Sequence, residues 1–320
     1  MQLMRPRTER VEPRFLHLYL NHFHQTGGTA AMQTATTNIR NIKASEYLRL
    51  RVPLPSRTEQ RRIVDLLDDH LSRLDSAHGE LAKARKRLIS LEHSLLDAHF
   101  ATGDSTAPLG DLTDDISAGK SYGAANAPAR DDQWGIIKVS AMTWGAFKPG
   151  ENKAVPADRV DTRFEIQEGD LLVSRANTSA YVGASVLVGP IRRKLLLSDK
   201  SLRVTPTNGV QAEWLWRALQ APSARRQISA LATGTKDSMR NISQSSLRRV
   251  LLPAVDEAAQ AKALEEFATT NEAFGRLRGE VEATEARLRQ LRRVLLAAAF
   301  SGRLTTNASG ASAAEEMMNA

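Results

Sequence analysis

The chain has 320 residues, is 42% hydrophobic and 25% charged, and carries a formal net charge of +8 at pH 7. That is room for two domains with packed cores, and the basic surface suits a polyanionic partner. With no cysteine the chain has no disulfide, thiolate metal site or cysteine nucleophile, and no apolar run approaches the roughly 20 residues that span a bilayer.

The first fifteen residues, MQLMRPRTERVEPRF, contain no apolar core of a secretory signal, so the expectation is a cytoplasmic protein. FLHLYLNHFHQ follows and reads as helix. Its His17, His22 and His24 do not share one helical face, so no metal site is predicted. Residues 1–55 read as the closing part of a domain. Residues 56–103 form a long apolar-periodic segment after Pro53 and Pro55, residues that fit the start of a helix. From 104 to 255 the texture changes to glycines, prolines and short apolar runs. Strands are predicted in 134–142, 169–176, 184–189 and 194–206, and a helix broken at Pro222 follows. A second long periodic segment spans 256–303. Residues 304–320 are small, polar and weakly patterned, and read as a disordered tail.

The two long segments belong to an internal repeat. RNIKASEYLRLRVPLPSRTEQ starts at Arg40, and RNISQSSLRRVLLPAVDEAAQ starts at Arg240. The match runs through both long segments at an unbroken offset and reaches upstream with one slip, where Phe15-Leu16 resembles Trp214-Leu215. In the first segment Leu81, Leu88, Leu91 and Leu95 lie on an apolar seam with steps of three and four. Val281, Leu288, Leu291 and Leu295 do so in the second. About 40 residues of helix is about 60 Å, too long to leave an apolar stripe bare, so the seams are predicted to bury each other. The fold class is therefore α+β: a mixed α/β domain plus two long helices pairing as an antiparallel coiled coil.

No catalytic constellation is present. Gly119-Lys120-Ser121 resembles part of a phosphate-binding loop, but such a loop needs a glycine where Asp114 stands and a helix after it. No nucleophile elbow, dinucleotide fingerprint or acidic nuclease cluster occurs, and no cofactor is expected. What the middle domain does offer is loops rich in groups that contact DNA. Ser174-Arg175-Ala176-Asn177-Thr178-Ser179 follows a strand, and Thr233 to Asn241 forms a second such loop. Arginine reads guanine and asparagine reads adenine in the major groove, while lysines hold phosphates. The candidate DNA contacts are Lys120, Tyr122, Lys138, Arg175, Asn177, Thr178, Lys236 and Arg240. Arg175 and Asn177 are expected to read bases. Lys120, Lys138 and Lys236 are expected to hold phosphates.

The junction Val52-Pro53-Leu54-Pro55 with Glu59, Gln60 and Ile63 carries a family resemblance. So do LLPAVDEAAQ at 251–260, EGDLLVSRAN at 168–177, WGIIKVSAM at 134–142 and LLAAAFSGRL at 295–304. Together they resemble the specificity (S) subunits of type I restriction-modification enzymes. The resemblance implies a subunit without catalytic activity, in which two target-recognition domains each read half of a split double-stranded DNA site. It also implies antiparallel helices that set the half-site spacing and dock methyltransferase (M) subunits, to which restriction-translocase (R) subunits attach. The chain departs from that pattern twice. Residues 1–55 match only the last third of the complete domain at 104–255, and Ala259 stands where the first junction has Glu59. The competing expectation is a coiled-coil interaction protein, a decoy or assembly inhibitor, without sequence-specific DNA binding.

Overall fold

A computed structural model describes residues 6–7, 9–36, 39–103, 105–123, 127–143, 145–237 and 239–303. The expected tail, 304–320, lies outside the described residues. The chain divides into two compact units, one of residues 1–86 with 277–320 and one of residues 87–276.

Each unit contains one end of each long helix, Arg57–Phe100 and Glu257–Phe300. In the first unit, Ile63, Leu67 and Leu71 near the start of the first helix pack with Leu296 and Ala299 near the end of the second. Asp75 pairs there with Arg292. In the second unit Leu96 and Phe100, at the end of the first helix, share a core with Phe267, near the start of the second. The Phe100 and Phe267 rings meet edge-on at 5.1 Å. Low numbers meet high numbers at both ends, so the helices run antiparallel.

The buried stripe of these helices departs from the predicted seam. Leu81, Leu88, Leu95, Val281, Leu288, Leu291 and Leu295 are half-buried, but Leu91 is 56% exposed. A straight α-helix drifts about 20° per heptad from a strict seven-residue repeat. The stripe starts at Gln60, Val64 and Leu67, and by the last turns it runs through Leu96 and Phe100. Leu91 has rotated off it.

Before the first long helix come a helix, Pro13–Gln25, an antiparallel hairpin, Gln33–Thr36 with Ile39–Ile42, and a short helix, Ala44–Tyr47. The second unit repeats this order: two helices, Ala212–Gln220 and Pro222–Leu231, a hairpin, Thr233–Lys236 with Met239–Asn241, and a short helix, Gln244–Leu247. Pro222 starts the second of these helices and so explains the break.

The second unit also holds a four-stranded antiparallel sheet, ordered Ser185–Leu187, Leu171–Ser174, Ser201–Pro206, Thr113–Ala118. Successive side chains of a strand point to opposite faces. Leu171 and Val173 accordingly join one core, with Leu202, Val204, Trp214 and Leu215. Leu172 joins the other, with Val186, Ile137 and Leu195. A smaller sheet runs Leu195–Leu196, Gly135–Ile137, Asn152–Ala154. All four predicted strands are shorter than expected, and in two of them a turn intervenes. That at 134–142 stops at Ile137, where a 3₁₀ turn, Val139–Ala141, begins. That at 194–206 is split by a turn in which Ser198 and Ser201 share a hydroxyl hydrogen bond of 3.0 Å.

Candidate nucleic-acid interface

The two loops singled out in the sequence lie side by side in the second unit. Ala176–Asn177 forms a short strand against Met239–Asn241, with Ala176 opposite Asn241 and Asn177 opposite Arg240. The hairpin partner, Thr233–Lys236, completes a three-stranded ribbon. Ser179 N donates to Asp237 O at 2.9 Å, which ties the loop ends together. Ser238, part of the predicted loop, lies outside the described residues. The hairpin needs Gly234: its φ is +134°, and a Cβ there would stand 2.5 Å from Met239 O.

Two of the predicted contacts are committed to the protein's own backbone. The Asn177 amide donates to Ser174 Oγ at 3.2 Å and Val139 O at 3.4 Å, while its oxygen accepts from Thr178 N at 2.9 Å. The Arg240 guanidinium donates to Ala232 O at 2.6 Å and Gly234 O at 2.9 Å. Neither side chain presents its full donor set to a base edge. They brace the loop and the hairpin.

The remaining candidates are more open. Lys236 and Thr178 are exposed. Among the described residues neither the Lys236 ammonium nor the half-buried Arg175 guanidinium has a hydrogen-bond or ion-pair partner. Arg175 is held by its backbone, whose N–H donates to Lys200 O at 2.9 Å and whose carbonyl accepts from Ile242 N at 2.9 Å. Lys200 is itself exposed and belongs to the same basic edge.

Lys138 caps the 3₁₀ turn beside Asn177, and its ammonium meets Glu151 at 3.1 Å. The Ser140 hydroxyl donates to the same carboxylate at 2.6 Å. These hydrogen bonds, from Ser140 first and then Lys138, hold the Glu151 carboxyl below the usual range. Glu151 is a group that sequence reading missed, because only the pairing of Ile137 with Asn152 brings it to Lys138.

Lys120 is exposed beside the Tyr122 ring, 5.6 Å from its centroid. Across from them Arg163 donates two hydrogen bonds to Asp161 and, as the main cause, lowers that carboxyl to about 2. Burial raises the Tyr122 phenol. Gly119 is required by packing: a Cβ there would lie 2.3 Å from Leu197 O. Among the described residues no helix follows it before the strand Gly135–Ile137.

No family model matches the chain. Curated relatives do. It is 30% identical over 159 residues, 49% of this chain and 27% of the relative, to the type I restriction enzyme EcoEI specificity subunit of Escherichia coli. It is 25% identical over 299 residues, 85% of this chain and 61% of the relative, to the EcoKI specificity subunit of Escherichia coli K12. A solved chain from work on complex assembly and conformational transition of the type I restriction-modification system superimposes with a TM-score of 0.67 at 18% identity, over 93% of this chain and 73% of that one. The chain is a relative of type I restriction enzyme specificity subunits. It spans less than two thirds of the length of these curated relatives.

As in the sequence, the repeat of this specificity-subunit relative is written in hydrogen bonds. Gln60 Oε1 accepts from Glu12 N, and its Nε2 donates to Arg10 O and Pro55 O, all at 2.8–3.1 Å. Gln260 Oε1 accepts from Gln211 N, and its Nε2 donates to Gly209 O and Val255 O, again at 2.8–3.1 Å. Both side chains are fully buried. The glutamine of the junction thus locks each long helix to the segment that leads into the preceding helix.

Proposed function

We propose that the chain is a non-catalytic DNA-sequence-recognition subunit of a type I restriction-modification complex, and that its second unit reads one half of a split double-stranded target. The observation that carries this reading is the ribbon that joins Arg175–Thr178 to the Thr233–Asn241 hairpin. It puts Arg175, Thr178 and Lys236 on adjoining strands and loops, with Lys200 beside them.

Arg175 is the base reader in this proposal, since among the described residues its guanidinium has no partner to give up. Lys120, Lys138, Lys200 and Lys236 neutralise phosphates, and Tyr122, beside Lys120, offers a stacking face to a base. Asn177 and Arg240 position the loops. The long helices dock methyltransferase subunits, through which restriction-translocase subunits join the complex. The exposed Ile89 and Leu91 on the first long helix support such a contact. No described helix is long and apolar enough to cross a membrane, and DNA as target fits the expected cytoplasmic site of action.

The test is enrichment of random duplexes by the chain together with the methyltransferase subunit, read by sequencing. A recurrent motif supports the proposal, and a flat sequence distribution refutes it.

A further inference from the structure

The hairpin strand Met239–Asn241 has two unlike faces. Side chains alternate along a strand, so Arg240 lies on one face and Met239 and Asn241 lie on the other. The Arg240 face turns inward. Its guanidinium is committed to Ala232 O and Gly234 O, and Ile242, one residue past the strand, is fully buried. The other face is open: Met239 is 62% exposed, and Asn241 is exposed as well. Directly opposite residues of paired strands share a face. The register therefore sets Lys236 beside Met239 and Thr233 beside Asn241, and both of these are exposed. Among the described residues the Asn241 side-chain amide has no hydrogen-bond partner.

Folding alone explains neither Met239 nor Asn241. Asparagine is depleted in strands, and a methionine in water leaves its apolar surface uncovered. Yet the repeat writes Ile39-Arg40-Asn41 at the matching positions, again an aliphatic residue and an asparagine two apart on a strand, Ile39–Ile42. We propose that the open face of the second hairpin reads adenine and thymine in the major groove, which admits a two-stranded ribbon. The Asn241 amide donates to N7 and accepts from the N6 amino group of an adenine, and the Met239 side chain packs on the methyl group of a thymine. Lys236, on the same face, reaches a phosphate. Residues two apart in a strand lie about 6.8 Å apart, and successive bases about 3.4 Å apart. The adenine and the thymine therefore lie within about two base steps of each other. This inference rests on the DNA-reading proposal and adds two base contacts to it, beside that of Arg175.

The test uses the full chain with the methyltransferase subunit and the duplex motif that enrichment returns. At each position in turn, deoxyuridine replaces thymidine, which removes only the methyl group, or 7-deazaadenine replaces adenine, which removes only N7. With the wild type, one deoxyuridine is expected to weaken binding about threefold or more. One 7-deazaadenine, within about two steps of it, is expected to weaken binding about fivefold or more. Met239→Ala abolishes the deoxyuridine penalty and keeps the other, and Asn241→Ala does the reverse. Both side chains are exposed, so thermal melting of the variants should match the wild type. The wild-type arm decides by itself if a variant fails to fold. A motif with no penalised analogue at any position overturns this proposal and leaves DNA reading intact, whereas a flat enrichment overturns both. Penalties that persist in both variants belong to other residues and overturn it too. So does loss of methyltransferase-subunit binding in Met239→Ala without any analogue penalty, because the face is then a protein contact.

Discussion

Gln60 and Gln260, 200 residues apart, each satisfy one backbone N–H and two backbone carbonyls with a single buried side chain, and the groups they hold correspond across the repeat. An unpaired buried backbone group costs about 1–3 kcal/mol. Gln260→Leu strands three such groups and is expected to lower stability by about 2–4 kcal/mol, allowing for partial relaxation. Gln60→Leu should cost a similar amount. Urea unfolding of each variant measures this, and a change below about 0.5 kcal/mol would show that water replaces the side chain.

Lys236→Ala is expected to weaken binding to every duplex alike and to reduce the slope of log K against log salt by about one. Fluorescence anisotropy at several salt concentrations checks it. An unchanged slope would remove Lys236 from the phosphate contacts.

In the proposed interface, Glu151 competes with DNA for Lys138, with which it forms an ion pair. Glu151→Gln frees the ammonium and removes a negative charge from the edge, so non-specific affinity should rise severalfold at low salt. The sign with pH follows from the lowered carboxyl. Its ion pair is fully present above the ordinary glutamate range and is lost only as the pH falls through the depressed value. Mild acid above that range should therefore leave the wild-type affinity without a step from this residue. Carboxyl NMR of Glu151 in Ser140→Ala should show the titration moving up toward normal.

Gly234→Ala separates positioning from folding. The added methyl must push away Met239 O, and the backbone at that φ disfavours an L side chain. The hairpin is exposed, so the melting temperature should move little while DNA affinity falls by about tenfold. Equal losses of both would make the hairpin a structural element only.

Much of the architecture is legible in the sequence because it is periodic. Residues 56–103 and 256–303 become helices Arg57–Phe100 and Glu257–Phe300, with Pro53 and Pro253 ahead of them. The offset between the copies holds for the short helices, Ala44–Tyr47 and Gln244–Leu247, as well. Leu91 fails because a heptad template is stricter than a straight helix. The pairing of Ala176 with Asn241 has no local signal, since a two-residue strand carries no pattern and its partner is distant in the chain. Asn177 and Arg240 show the limit for the site. Composition marks them as DNA-reading types, but only the fold shows that these side chains donate to the carbonyls of Val139, Ala232 and Gly234. Of the two glycines just past the long helices, Gly103 and Gly302, only Gly302 takes the left-handed φ of a helix cap, at +79°.

Sequence discrimination by Arg175 is the most direct test. Random-duplex enrichment is run in parallel for the wild-type complex and for Arg175→Ala. The wild type should return a fixed motif, and Arg175→Ala should lose preference at one guanine-containing position, at a cost of about 1–3 kcal/mol there, while the other positions persist. If both return every duplex equally, the chain is an interaction protein built on paired helices and not a reader of DNA sequence.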